Sequence, residues 1–175
     1  MSTTVTAAQL EAALEAFVAC PDEERFAVLF RLLAPQLLVY FRARGCEAGV
    51  AEDLTQEVML TLFRKVDGLR DRDLFRPWLF RIAKNALLQH LRKQGQRVET
   101  VALADRLEGV AWNPFAGLAL GEWLACLPEA DRELLLLRYV DGFTHHEIAE
   151  LLEIPMGTVQ WRVFQLKKKL AEHFR

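Results

Sequence analysis

The side chains best suited to catalysis or metal binding lie together in residues 144–150, which read THHEIAE. Imidazole and carboxylate groups are common zinc ligands. On a helix, however, His145 and His146 point about 100° apart, and the spacing of Thr144 and Glu147 predicts a capping box that occupies the glutamate. Neither a phosphate-binding glycine-rich loop nor a nucleophile with an adjacent base accompanies them. The sequence therefore predicts no catalytic residue, no metal site and no cofactor, and an enzyme is the weaker alternative.

Basic residues offer a binding chemistry instead, because they concentrate in two parts of a chain whose net charge is only −2. Residues 64–97 contain ten arginines and lysines against three aspartates. The tail adds Arg162, Lys167, Lys168, Lys169 and Arg175 against Glu172. Cations clustered in this way neutralise the phosphates of nucleic acids. The pattern predicts two contacts with a polyanion; the alternative is that both clusters are ordinary solvated helix faces.

Length and composition are those of a globular protein. The 175 residues suit one large or two small domains, and 52% of them are hydrophobic, which is enough for packed cores. Cys20, Cys46 and Cys126 lack the paired spacing of a zinc knuckle or a disulfide framework. The N-terminus does not resemble a signal peptide, and no apolar run approaches the roughly 20 residues of a membrane span. We expect a cytoplasmic protein without membrane insertion.

Apolar residues recur at helical spacing almost throughout the chain, and no alternating strand pattern of useful length occurs. This pattern predicts an all-α fold with two small helical domains joined by a linker. The predicted parts are an N-terminal extension over residues 1–24, which is partly helical, a first domain over 25–94, a linker over 95–117 and a second domain over 118–175.

Three helices are predicted in the first domain. The first begins near Phe26 and stops near Gly45, and the second spans about 50–66. Pro77 suits the first turn of the third helix. The buried face of this third helix is expected to consist of Trp78, Ile82, Leu87, Leu88 and Leu91. The linker is interrupted by glycines and prolines, and at most one helical turn, at 103–107, is expected there.

In the second domain, helices are predicted over 118–127, over 129–140, from Thr144 to about 152, and from about Met156 onward. The last two form a helix-turn-helix candidate, whose second helix enters the major groove in proteins that bind DNA. The spacing of this helix predicts an apolar stripe made of Val159, Val163, Leu166 and Leu170. The outward face then carries Trp161, Phe164, Gln165 and Lys168. The alternative for Trp161 is that it packs against another part of the chain.

Three segments, taken together and in order, resemble the bacterial sigma factors of the extracytoplasmic-function (ECF) group of the sigma-70 family. AEDLTQEVMLTLFRKV, residues 51–66, is similar to the acidic segment that binds core RNA polymerase. FRPWLFRIAKNALLQHLRK, residues 75–93, is similar to the promoter-melting helix, and residues 127–170 are similar to the reader of the upstream promoter element. The resemblance covers about residues 25–174. It implies a transcription initiation factor that binds core polymerase, directs it to promoters and helps to melt the minus-ten region.

The resemblance also implies roles for individual residues. The clamp helices of the largest polymerase subunit would be bound by Asp53, Gln56, Glu57, Leu60 and Phe63, and the flap region of the second subunit is a further contact. The minus-ten element would be bound by Arg70, Arg72, Arg76, Arg81, Lys84, Asn85, Arg92 and Lys93. The minus-thirty-five element would be bound by Thr158, Gln160, Trp161, Arg162, Phe164, Gln165, Lys167 and Lys168. An anti-sigma factor is a third partner that the family implies.

The final helix departs from the pattern of the family. Gln160 and Trp161 stand where the family has a basic residue and a small hydroxyl residue, and Phe164 and Gln165 stand where further arginines are usual. In the third helix of the first domain, Gln89 replaces a frequent aspartate, so no function is assigned to it. Fewer cations predict weaker phosphate contacts. The aromatic side chains would then read thymine methyl groups or, alternatively, bind a protein.

The main alternative function is that of a helix-turn-helix regulator that acts on duplex DNA without core polymerase. It explains the second domain equally well, but it leaves the DLTQE segment and the basic FRPWLFRIAKN segment without a role. The two functions differ in assembly. A regulator of this kind is expected to dimerise on a palindrome, whereas a sigma factor is expected to be monomeric and to bind free duplex poorly.

Overall fold

The computed structural model describes residues 7–69, 71–94, 123–124 and 126–173, and within them the regular structure is helical, with no strand. The predicted all-α class is therefore confirmed. The chain divides into two compact units, residues 1–42 with 46–99 and residues 43–45 with 100–175. The predicted linker over 95–117 and most of the predicted helix over 118–127 lie outside the described residues. The domain boundaries stay predictions.

Helix α1, Ala7–Ala19, and helix α2, Glu23–Ala43, open the first unit. Asp22 caps α2, because its Oδ1 accepts a hydrogen bond of 2.8 Å from the backbone N–H of Arg25. That bond, together with the nearby guanidinium of the same arginine, lowers the pKa of the Asp22 carboxyl. Pro35 lies inside α2 without ending it, and the helix stops just before Gly45, whose φ is 87°.

By length and composition alone, α2 is apolar enough to cross a membrane, which differs from the expectation that the sequence holds no such run. The core helix of a soluble protein passes the same test. In α2 the apolar residues form a core, since five of them are completely buried: Leu29, Leu33, Leu37, Tyr40 and Phe41. Burial inside the protein thus accounts for part of the apolar composition of this helix, while Phe30 is 37% exposed.

Helices α3, Ala48–Lys65, and α4, Phe75–Lys93, complete the first unit and pack against each other. Two short 3₁₀ turns, Val66–Gly68 and Arg72–Leu74, lie between them. Asp71 caps the second turn, because its side chain accepts a hydrogen bond of 3.0 Å from the backbone N–H of Asp73. The described part of the segment between α3 and α4 thus contains two tight turns.

The expected buried face of α4 was largely wrong. Leu87 is buried, but Trp78, Ile82, Leu88 and Leu91 are only half-buried. The core face is instead made by Phe75, Pro77, Leu79, Phe80, Ala83, Ala86 and Leu87. This helix is apolar on more than one side, so its own pattern leaves the choice open. Packing decides it: the Phe80 ring meets Tyr40 of α2 edge to face, with ring centroids 5.2 Å apart.

Besides residues 43–45, the described part of the second unit contains Trp123 and Leu124, followed by helix α5, Glu129–Leu135. Residues Leu136–Val140 extend α5 as a π-helical turn. Arg132 is buried, and its guanidinium donates to the backbone carbonyls of Leu124 at 2.9 Å and Leu127 at 3.0 Å. These bonds hold the chain that precedes α5 against α5, because carbonyl groups at this depth require a donor.

Helix α6, His145–Leu152, and helix α7, Met156–His173, follow. The predicted capping box is present: Thr144 Oγ1 accepts from the Glu147 N–H at 3.2 Å, and Glu147 Oε2 accepts from the Thr144 N–H at 2.8 Å. Glu153 ends α6 in the left-handed region, with φ 56° and ψ 43°, and the Ile154 N–H bonds to the Ala149 carbonyl. This tight turn delivers the chain into α7.

Replacing Thr144 with alanine removes the hydroxyl that caps α6. We expect the free energy of unfolding to fall by about 1 kcal/mol, the usual effect of losing an N-cap. Urea unfolding followed by far-ultraviolet circular dichroism measures the change. His146→Ala, on the exposed side of the same turn, is the matched control and is expected to change little. An equal loss in both variants would contradict the assignment.

Candidate functional site

The five residues that were predicted to bind the polymerase share one exposed face of α3, the helix that contains the DLTQE motif. From Asp53 the helix reaches the adjacent pair Gln56 and Glu57, then Leu60 and then Phe63 in steps of three or four residues, and all five side chains are exposed. Leu60 is 53% exposed and Phe63 is 44% exposed. The opposite face of α3 is buried. The α3 surface, made of these five residues, therefore combines carboxylates with uncovered apolar groups.

Phe63 is held in place by aromatic residues that the sequence analysis did not assign to this surface. Its ring centroid lies 5.6 Å from that of Phe17 in α1 and 5.1 Å from that of Phe26 in α2. Phe17 is completely buried. Aromatic packing of this kind fixes the orientation of a ring while one edge stays exposed. The helical spacing of Phe26 in α2 was visible in the sequence, whereas nothing in it indicated Phe17.

Helix α4 brings three of the predicted minus-ten residues onto one outward face. Arg81, Asn85 and Arg92 follow each other at intervals of four and seven residues, and all three are exposed. At about 100° per residue they lie opposite the core face of the helix. Lys93 is exposed at the end of α4, whereas Arg76 and Lys84 are half-buried beside the core. The α4 surface, made of Arg81, Asn85, Arg92 and Lys93, is thus polar and basic.

The segment before α4 holds two of the predicted minus-ten residues, Arg70 and Arg72. Arg72 is exposed and forms an ion pair of 3.2 Å with Glu15 of α1. An exposed pair of this kind contributes about 0–1 kcal/mol, so a phosphate group can replace the glutamate. Arg70 lies outside the described residues. Arg72 is therefore the predicted loop contact whose position the structure describes.

Helix α7 packs on α5 and α6 through the predicted apolar stripe. Val159, Val163 and Leu166 are buried, whereas Leu170, which was expected to join them, is only half-buried. Leu170 lies in the last turn of the helix. The turn after α6 and the stripe together set the orientation of α7, so the arrangement is that of a helix-turn-helix.

The outward side of α7 exposes two large aromatic side chains. Trp161 is 63% exposed and Phe164 is 64% exposed. Within the part of the chain that the structure describes, Trp161 is therefore not packed against another segment. Thr158, Gln160, Lys167 and Lys168 are exposed on this helix as well, and Gln165 is half-buried. The α7 surface, made of these seven residues, presents amide, ammonium and aromatic groups, which are suited to base edges and phosphates.

Arg162 differs from the other predicted residues of α7. Its guanidinium donates to Asp131 Oδ1 in α5 from both Nε, at 3.1 Å, and Nη2, at 2.5 Å. Both side chains are largely covered. Charge-assisted bonds at this depth are stronger than those of exposed pairs. In the structure Arg162 thus joins α7 to α5.

The described residues contain no group of three histidine, cysteine or carboxylate side chains that could hold a metal ion. The segment around His145 and His146 forms the first turn of α6, and the carboxylate of Glu147 is engaged in the capping box.

Two family models match the chain. Sigma-70 region 2 matches residues 29–97, and Sigma-70, region 4, matches residues 118–170. The ECF RNA polymerase sigma factor RpoE of Cereibacter sphaeroides is 30% identical over 166 residues, which are 87% of this chain and 87% of that protein. The ECF RNA polymerase sigma-E factor of Escherichia coli K12 is 30% identical over 144 residues, 73% of this chain and 75% of its own length.

Two solved structures share the fold. A structure of CnrH in complex with the cytosolic domain of CnrY has a TM-score of 0.68 at 23% identity and covers 93% of this chain and 96% of its own. The sigma factor RpoE of Bartonella quintana, in complex with the anti-sigma factor NepR, has a TM-score of 0.65 at 23% identity, with coverages of 86% and 97%. The likeness in fold extends over most of the chain.

Sigma-70 region 2 followed by region 4 defines a bacterial transcription initiation factor. The chain belongs to the ECF group of the sigma-70 family. It is a promoter-directing initiation factor, and its partners are core RNA polymerase and promoter DNA. A regulator that acts without core polymerase is not favoured, because both regions of the family are present.

Replacing Trp161 with serine tests the exposed position of this side chain. We expect the free energy of unfolding to change by less than about 0.5 kcal/mol, because surface substitutions rarely do more. Leu166→Ala, on the buried side of the same helix, is the control and should cost about 2–5 kcal/mol. Promoter preference or partner binding should change in Trp161→Ser. A large loss of thermal stability with unchanged binding would show that the tryptophan is packed.

Proposed function

We propose that the α3 surface is the docking site for core polymerase. It offers Asp53 and Glu57 to a basic partner and Leu60 and Phe63 to the apolar side of that partner, which suits the clamp helices of the largest polymerase subunit. The observation that carries the proposal is the exposure of Leu60 and Phe63 beside these carboxylates. Exposed apolar side chains beside charged ones are typical of a protein–protein interface whose partner is not bound.

The α4 surface binds the minus-ten element and holds the melted strand. Strand opening exposes bases and phosphates, so the protein needs cations for the backbone and polar groups for the extruded bases. The common outward face of Arg81, Asn85 and Arg92 supports this role, with Lys93 and Arg72 at its margins. Arg70, Arg76 and Lys84 belong to the proposed contact set as well, and the last two would act from the sides of the helix.

The α7 surface binds the minus-thirty-five element in the major groove. The N-terminal residues of a recognition helix contact base edges in helix-turn-helix proteins, and here they include Thr158, Gln160, Trp161 and Phe164. Lys167 and Lys168 lie further along and suit phosphates. The predicted parts over 25–94 and 118–175 would thus each hold one promoter element, with 95–117 spacing them and the polymerase flap contacted by the second.

In this proposal the protein performs no catalysis. Its described side chains recognise and bind the promoter DNA, and the polymerase synthesises the RNA. It acts in the cytoplasm, where polymerase and promoter are found. An anti-sigma factor is a proposed third partner. The proposal is supported by a fold neighbour, since the Bartonella RpoE is bound to the anti-sigma factor NepR.

Reconstituted transcription tests the central proposal. Purified protein is added to bacterial core polymerase on a library of genomic fragments from the bacterium that encodes it, and transcript starts are mapped. We expect promoter-dependent transcripts that require the protein. Their absence from every fragment would refute the proposal, whereas tight dimeric binding to palindromic duplex without polymerase would favour the regulator alternative.

The docking site is tested by reversing the charge of Asp53 and Glu57 to lysine. Both side chains are exposed, so the melting temperature should stay close to that of the unaltered protein. Affinity for core polymerase, measured by fluorescence anisotropy, should fall below detection because a basic partner now meets like charges. Glu52→Lys, an exposed neighbour outside the motif, is the matched control and should keep its binding. Retained binding in the double variant would rule out the assignment.

A further inference from the structure

The ion pair between Arg162 and Asp131 is built into the packing of α7 on α5. Arg162 is 28% exposed and Asp131 is 19% exposed, and two nitrogens of the guanidinium share one carboxylate oxygen. Asp131 is itself fixed, because it lies in the first turn of α5 and its backbone N–H bonds to the Pro128 carbonyl at 2.9 Å. The pair therefore has both ends anchored in helices.

The direction of the Arg162 side chain follows from its place on α7. At about 100° per residue it lies beside the apolar stripe of Val159, Val163 and Leu166, next to the face that packs on α5. Trp161 and Phe164 lie on the opposite, exposed side. The guanidinium thus reaches toward the body of the unit, while its sequence neighbour Trp161 points outward.

The sequence of α7, MGTVQWRVFQLKKKLAEH, contains a single arginine, and that arginine is Arg162. Arginine and lysine read guanine through its O6 and N7 atoms, glutamine reads adenine, and apolar groups contact the thymine methyl. The lysines of α7 begin at Lys167, beyond the N-terminal half that reads bases in a helix-turn-helix. With Arg162 engaged, that half offers Gln160, Trp161 and Phe164, together with the half-buried Gln165.

We propose that Asp131 withholds Arg162 from the DNA, so that α7 reads A·T base pairs rather than guanine in the upstream promoter element. Glutamine amides recognise adenine, and the two exposed aromatics contact thymine methyl groups. This inference rests on the proposed function of the α7 surface and names the base pairs that the surface selects.

The test selects DNA with the complete holoenzyme. Core polymerase loaded with the full chain binds a promoter library in which the minus-ten element is constant and the minus-thirty-five element is randomised. The unaltered protein is expected to select A·T pairs where α7 contacts the DNA. Selection of guanine at these positions, lost in Arg162→Met, would overturn the inference. Failure of the unaltered protein to select any upstream sequence would instead refute the proposed function itself.

Two variants distinguish an Arg162 that is held by Asp131 from an Arg162 that contacts the DNA. Arg162→Met should keep both the base preference and the salt dependence of binding, because the arginine touches no DNA. Asp131→Ala releases the guanidinium and should add a guanine preference, or steepen the slope of log K against log salt by about 0.9, the value of one phosphate contact. A slope that falls by about 0.9 in Arg162→Met, or an unchanged Asp131→Ala, would contradict the inference.

Arg162→Lys is the control for the case in which Arg162→Met fails to fold. Arg162→Lys keeps a positive charge near Asp131 but lacks the fork that binds guanine bidentately. It should retain the melting temperature more closely than Arg162→Met and should select the same bases as the unaltered protein. If Arg162→Met does not fold, Arg162→Lys decides the question, because a lost guanine preference in this variant would show direct contact.

Discussion

The burial of Val159, Val163 and Leu166 against α5 and α6 is the constraint on which the second unit depends. A helix that must bury one stripe has no freedom to rotate, so its opposite side is presented outward whatever residues it carries. Trp161 and Phe164 are exposed because the opposite stripe of the helix is buried, although both side chains are apolar. The αL turn at Glu153 and the capping box of Thr144 add the second condition, since they set where α7 begins.

The same physical logic produces the two surfaces of the first unit. The buried faces of α3 and α4 meet, so the acidic and apolar side of α3 and the basic side of α4 each face outward. Aromatic contacts add support from a distance in sequence: Phe17 and Phe26 hold Phe63, and Tyr40 holds Phe80. The orientation of these rings is thus fixed by side chains that are distant in the sequence.

Features that depend on a few adjacent residues were predictable from the sequence. The capping box needed only Thr144 and Glu147 at their spacing, and the stripe of α7 needed only its helical period. The core face of α4 was not predictable, because apolar residues occupy more than one side and the neighbour that chooses among them, Tyr40, lies in another helix. The ion pair of Arg162 was also not predictable from the sequence, because its partner Asp131 is 31 residues away in the chain.

By itself the sequence determined the all-α class, the order of the three motif segments and the membership of the ECF sigma factors. Periodicity and motifs depend on the spacing of residues that are close together in the chain. The tertiary structure alone decided which of these residues are available. It left Leu60, Phe63, Trp161 and Phe164 uncovered and engaged Arg162 with Asp131. Whether a side chain is exposed depends on the packing of segments that are distant in the sequence. The spacing of residues along the chain does not show which of these segments are in contact.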